Sequence, residues 1–413
     1  VTFIEGRPRR RVLHSKQADS VASGLRRRSA GRCPALLRAA LGIAALLPAG
    51  SCSPVDNGNG NNGGSEPQFV LSPDGRAVAI VDPEGFTELV DLSWTEPRLA
   101  IQPRVEAYLQ AYAERFPSDA NFLLFLLDVH RDRLRFNALG GFNVTVRSPE
   151  TGLGPIGQAT PLPNLPELRS YIYLARKDSL VLGPSLHELA HAWGVRLTQP
   201  STLGKQVTCS DNHWGYTSAG GQLGGWAPGS LVENSAGRFE IAGGNVEPNG
   251  RPFNTVAYSH IELYLMGLVG SEAVPAIEVA INPQFQSLFQ FTADDVVVLP
   301  IEDILDGNGV RKPLPADAPR DFKLTVVFLT DHVPTSKDWA FYADSMNFFE
   351  APEARDIQLA FPARLYRGEP ILELIRQSDP ENPQRRFMNF FEATAGLARV
   401  EFLDVRAPDA NEP

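Results

Sequence analysis

Three cysteines, Cys33, Cys52 and Cys209, are all that 413 residues contain. A fold stapled by disulfides is excluded. If the first two belong to an N-terminal export leader, the remaining thiol, Cys209, reads as a small buried hydrophobe. Positive charge is also short: 38 Lys and Arg face 48 Asp and Glu, for a net charge of -10. The basic residues crowd into the first forty positions, so the rest of the chain is more acidic still. No nucleic-acid partner is expected. The apolar run Ala39–Ala49 falls well short of the ~20 residues a membrane-spanning helix needs. No strand-turn unit recurs along the chain, which rejects a propeller. Histidine is scarce as well, with seven in the chain.

What is present is a core-forming composition, 43% hydrophobic and 21% charged, enough for one large domain or two ordinary ones. Two of the scarce histidines fall in Ser185–Gly194, Ser-Leu-His-Glu-Leu-Ala-His-Ala-Trp-Gly. The i, i+4 spacing of His187 and His191 puts both imidazoles on one helix face, within reach of a single zinc ion. Glu188 between them is then placed to hold or deprotonate a water. The pattern is His-Glu-x-x-His, the signature of zinc metallopeptidases. Leu186, Ala190, Trp193 and Leu197 form an apolar stripe on the other face. Ser185 is the expected N-cap and Gly194 the expected stop.

Taken in order, residues 1–52 read as an export leader. Arg26–Arg28, Arg32 and Arg38 supply a basic region, Ala39–Ala49 the apolar core, and Gly50-Ser51-Cys52 resembles a bacterial lipoprotein junction. Acylation of Cys52 would place the protein on the cell envelope. Residues 53–67 read as a flexible tether. A catalytic domain is expected over 68–270 and a C-terminal α+β subdomain over 271–413. Phe69–Val81 reads as a hairpin about Ser72-Pro73-Asp74-Gly75. Val105, Tyr108, Leu109, Tyr112 and Phe116 share a helical face. Strands are expected at Phe122–Asp128, Phe142–Val146, Leu168–Ala175, Val296–Leu299, Phe322–Leu329 and Val400–Val405. Helices are expected at Tyr258–Met266, Ile301–Leu305, Ser336–Phe349 and Pro383–Ala393. Thr198–Gly250 reads as loop, and Asp303, Asp306 and Asn308 as a polar turn rather than a calcium site.

Two histidines do not complete a zinc site; a third protein ligand and an open position are required. His213, in the stretch after the helix, is the preferred candidate because imidazole is a favoured donor. Glu262, Asp211 and His260 are the alternatives. Tyr216, Tyr258 and Tyr264 are candidates for stabilising an oxyanion, and nothing in the sequence chooses among them.

His187–Gly194 resembles the opening of the metzincin motif, His-Glu-x-x-His-x-x-Gly, although Leu197 stands where that motif has its third histidine. Met266-Gly267 resembles the Met-turn of the same clan. The order of Gly141–Val146, His-Glu-Leu-x-His, His213-Trp214, Glu262–Leu268, Ile301–Arg311 and Asp321–Phe328 is similar to that of a group of secreted bacterial proteins, over most of 105–330. The resemblance implies an α+β, zincin-like domain with a twisted mixed sheet and two helices. By analogy, the strand before the metal helix would border the cleft and pair with extended substrate. The expected activity is zinc-dependent hydrolysis of peptide bonds, with Glu188 as base. Two alternatives stay open: a zincin scaffold with weak turnover used for binding, and a hydrolase of a non-peptide amide.

Overall fold

The computed structural model describes residues 66–95, 98–129, 140–154, 159–194, 196–197, 212–242, 248, 250, 253–287, 289–352, 365–366, 369–370 and 387–406. The leader with Cys33 and Cys52, nearly all of the tether, Cys209 and Asp211 lie outside the described residues.

The chain is mixed α+β. A hairpin of β1 (Gln68–Leu71) and β2 (Ala77–Val81) opens it. In its turn the Ser72 hydroxyl donates to Asp74 at 2.6 Å, and Gly75 takes a positive φ of 76°. Helices α1 (Pro83–Thr95) and α2 (Arg98–Arg115) lead to β3 (Phe122–Leu127), β4 (Gly141–Thr145) and β5 (Ser170–Leu174). The short helices α3 (Ser179–Leu182) and α4 (Ser185–Ala190) follow. After the hairpin β6 (Leu231–Ser235) and β7 (Arg238–Ile241) comes α5 (His260–Met266). Next are β8 (Ile277–Ile281), β9 (Gln284–Phe285), β10 (Gln290–Thr292), β11 (Asp295–Leu299), α6 (Ile301–Asn308), β12 (Asp321–Thr330) and α7 (Ser336–Glu350). The two-residue strands β13 (Leu365–Tyr366) and β14 (Glu369–Pro370), then α8 (Phe390–Ala393) and β15 (Arg399–Phe402), complete the order.

Seven strands make the principal sheet, in the order β1-β2-β12-β3-β5-β4, with β15 also paired to β12. Its centre is parallel and its two ends, β1 and β4, are antiparallel. The sequence explains why β3 and β12 sit in the middle. Phe-Leu-Leu-Phe-Leu-Leu is buried at every position of β3, the run expected of a parallel strand covered on both faces. Period-two alternation then divides its side chains. Phe122, Leu124 and Leu126 face a core built with α4, α5, α7 and α8. Leu123, Phe125 and Leu127 face one built with α1 and α2. Helices α4 and α2 therefore lie on opposite faces of the sheet.

Strand β12 lends one flank to two partners, pairing β15 through Asp321–Leu324 and β2 through Val326–Thr330. Strands from both sides of residue 270 share this sheet. Several expectations are corrected. Strand β5 lies between β3 and β4, so the strand just before the His187–His191 helix is internal and the end strand is β4. Ser185 is the first helical residue, with Pro184 at the N-cap position, and the helix ends at Ala190 rather than running to Gly194. The stretch 198–250 holds β6, exposed at four of its five residues, and β7, which alternates over only four residues. Within 383–393 the described helix covers only Phe390–Ala393. Asp303, Asp306 and Asn308 fall in α6 rather than in a turn. Among the described residues no helix is long and apolar enough to cross a membrane.

Candidate metal centre

Helix α4 is held by its backbone. Asn254, fully buried, accepts from Leu186 N–H at 3.2 Å and donates to Leu180 O at 3.0 Å and Ser185 Oγ at 2.8 Å. One amide thereby locks the corner between α3 and α4. Tyr258 Oη donates to Leu186 O at 2.8 Å, and Asn143 Nδ2, on β4, donates to Glu188 O at 2.9 Å. Leu186, Leu189 and Trp193 sink into the main core, where Trp193 packs on Phe122 and Phe322. With that face anchored, His187 and His191 face the other way. The regular helix stops before His191, yet His191 keeps helical torsions (φ -61°, ψ -18°). The i, i+4 relation survives for that reason.

The third imidazole arrives on the stretch after the helix. Trp214 N–H donates to Leu223 O at 2.9 Å and Gly215 N–H to Pro248 O at 3.1 Å, folding His213 back over α4. His187 Nε2 lies 3.1 Å from His191 Nε2 and 3.1 Å from His213 Nε2. The three rings stand 4.8 to 5.0 Å apart between centroids. Gly250 passes against them: a Cβ there would meet His187 Cε1 at 2.1 Å and His213 Cδ2 at 3.0 Å. No residue with a side chain fits that position.

Protonation follows from the partners. His187 Nδ1 is 2.9 Å from the Gln222 carbonyl. A carbonyl only accepts, so Nδ1 carries the proton and Nε2 offers a lone pair to the cluster. Burial, reinforced by His213, pulls the His187 pKa down to about 3. Burial and the two neighbouring imidazoles hold His191 well below its usual range. Neutral imidazole is the metal-binding form. One lone pair on His187 Nε2 thus faces two ring nitrogens, and at most one of these contacts can be a hydrogen bond. A cation among the three nitrogens relieves the conflict. A tetrahedral ion with ~2.0–2.1 Å bonds to nitrogen needs nitrogens roughly 3.3 Å apart, close to the two 3.1 Å spacings from His187 Nε2. The His187, His191 and His213 group can hold a metal ion, its ligand atoms all lying within 4.8 Å of one another.

Glu188 is buried, and burial pushes its carboxyl up to about 8, with Arg98 pulling against the rise. It lies beside β4: a Cβ on Gly141 would come within 3.0 Å of Glu188 Cγ and Oε1. The guanidinium of Arg98 sits 5.3 Å over the ring of Phe142, the next residue of the strand.

The other candidates are placed elsewhere. The Glu262 carboxylate is turned to N–H donors of the 214–223 loop and its own helix start, not to the imidazoles. Burial pushes its carboxyl up, and those four donors pull the other way. His260 is exposed at the first position of α5. Met266 ends α5 inside the main core, and Gly267 takes the left-handed conformation after it. Leu197 is likewise core. Of the tyrosines, Tyr258 donates to Leu186 O and Tyr264 Oη accepts from Arg311 N–H at 2.9 Å. Tyr216 packs on Phe291 in a separate cluster with the small sheet.

Asn143, Gln222, Gly250, Asn254 and Arg98 are the residues that sequence reasoning missed. Gln222 acts through its carbonyl, which any residue carries, so its letter holds no signal. The family models, the curated proteins and the solved structures offer no match to this chain.

Proposed function

We propose that the protein is a zinc metallopeptidase with a zincin-like catalytic centre, in which His187, His191 and His213 hold the ion and Glu188 is the catalytic base. The observation that carries the reading is the convergence of three imidazoles, with His187 and His191 held neutral by burial, beside the buried Glu188 of the same helix as those two. Zinc held by three histidines keeps an open position and supplies a Lewis acid to the scissile carbonyl and the attacking water. The rest is the work of the chain. Glu188 takes a proton from the water and delivers it to the leaving amine, and a carboxyl raised by burial is suited to both transfers near neutral pH. The His187–Gln222 hydrogen bond fixes one ring in the binding tautomer. Asn143, on β4, holds the Glu188 carbonyl and so ties the base to the edge of the sheet.

Peptide is favoured over other amides by that edge. Strand β4 ends the principal sheet, and its outer side has no strand partner among the described residues. An extended peptide added there runs past Gly141 and the Glu188 carboxyl, with main-chain hydrogen bonds supplying affinity. Glu188→Gln tests the proposal: peptide hydrolysis should fall by several orders of magnitude while metal is retained. Zinc-loaded wild-type protein that cleaves no member of a broad peptide library would favour a binding scaffold instead.

A further inference from the structure

We infer that Glu262 is a positioning residue for the metal centre, setting His187 through the Gln222 peptide and His213 through Trp214. The inference rests on the metal-centre reading above. Glu262 Oε2 accepts from Gln222 N–H at 3.0 Å and from Ser259 N–H at 2.8 Å. Its Oε1 accepts from Leu223 N–H at 2.7 Å and from Trp214 Nε1–H at 3.2 Å.

Capping α5 accounts for only one of these bonds, the one from Ser259. The other three reach across to the loop that carries the third imidazole. Gln222 is the hinge of the device. Its N–H is held by Glu262, and its carbonyl, on the other side of the same residue, accepts from His187 Nδ1 at 2.9 Å. Leu223 and Trp214 close the loop on themselves, Trp214 N–H donating to Leu223 O at 2.9 Å, and both are tied to Oε1. His213 is the residue before Trp214. The carboxylate is buried to 1% exposure, and the chain passes so close that a Cβ on Gly221 would lie 1.8 Å from Oε2. Burying a carboxylate is costly unless its lone pairs are satisfied, and four donors satisfy this one. Groups that orient metal ligands from behind commonly carry 10–100-fold of the metal affinity.

Glu262→Gln keeps the shape and turns an amide NH2 toward two N–H donors, so one half of the cradle becomes repulsive. Metal affinity is read by competition with a chelating indicator for Zn²⁺, and the ligand set by the visible spectrum of the Co²⁺ form. The expected result is affinity about 10–100-fold weaker with an unchanged Co²⁺ spectrum. Leu89→Ala, in the core on the opposite face of the sheet, controls for lost stability and should leave affinity unaltered. Trp214→Phe removes a single donor and should weaken binding severalfold; it decides the matter if Glu262→Gln does not fold. Unchanged affinity in Glu262→Gln, or an equal loss in Leu89→Ala, overturns the inference while leaving the metal centre standing. A Co²⁺ spectrum altered as in His187→Ala overturns it by making Glu262 a ligand. Wild-type protein that binds neither ion overturns the metal-centre reading itself.

Discussion

Asn254→Ala should unlock the corner from which α4 starts. The side chain is fully buried; Oδ1 accepts from Leu186 N–H at 3.2 Å, and the two Nδ2 hydrogens are shared among Leu180 O, Val181 O and Ser185 Oγ at 2.8 to 3.3 Å, three bonds' worth in all. Each such bond is worth about 1 kcal/mol net, and the groups left behind are buried, so the loss is about 3 kcal/mol. For a chain of this size, with about 2.1 cal/mol/K of unfolding entropy per residue, that is a fall in Tm on the order of 3–5 °C. Thermal and urea unfolding of the metal-free protein measure it. Because α4 carries two of the three imidazoles, the variant should also bind zinc more weakly. A ligand that binds only the folded state adds about 2.7 kcal/mol at a hundredfold excess over Kd, so zinc well above its weakened Kd should restore most of the lost stability. A destabilisation under about 1 kcal/mol would refute the reasoning, since the corner would then be held by its apolar packing alone.

Gly250→Ala places a methyl 2.1 Å from His187 Cε1 at a residue with a φ of 84°. The prediction is a folded protein, by circular dichroism, that has lost most of its bound zinc. Arg98→Ala removes the charge that holds the Glu188 pKa down against burial. Glu188 works as a base only when ionised, so the acidic limb of the kcat/KM profile should move to higher pH; an unmoved limb would mean that Arg98 does not act on Glu188.

Much of the fold could be read from local pattern. The six-residue apolar run of β3, the face shared by Val105, Tyr108, Leu109 and Tyr112, and the turn before Gly75 each carry their own signal. What could not be read is long-range. Nothing in Asp321–Thr330 says that it inserts between β2 and β3, because strand order is set by which apolar faces find each other across hundreds of residues. The analogy that put the strand before α4 at the cleft border failed for the same reason: β4 pairs back onto β5 and takes the edge. Strand β6 escaped notice because four of its five residues are exposed, so no apolar alternation forms, and β7, Arg-Phe-Glu-Ile, alternates over too few residues to stand out.

The site shows the same division. His187, Glu188 and His191 are legible because one helical turn carries all three, and helical periodicity is local. For the third ligand the sequence prefers His213 only on donor type and leaves Glu262 and Asp211 open, since a third ligand arriving on a loop leaves no spacing rule. Geometry separates the first two: His213 Nε2 comes to 3.1 Å from His187 Nε2, while Glu262 spends its oxygens on four N–H groups. Asn254 and Gln222 act through a buried amide and a backbone carbonyl, neither of which a motif can record.

Zinc content is the most direct test of the metal centre. Wild-type protein, His213→Ala and His187→Ala are each equilibrated with Zn²⁺, dialysed against a weak chelator and assayed for metal per chain, with folding checked by circular dichroism. Stoichiometric zinc in the wild type, and equal depletion in the two variants, is the predicted result. Retention of zinc by folded His213→Ala, with His187→Ala empty, would contradict the three-histidine centre.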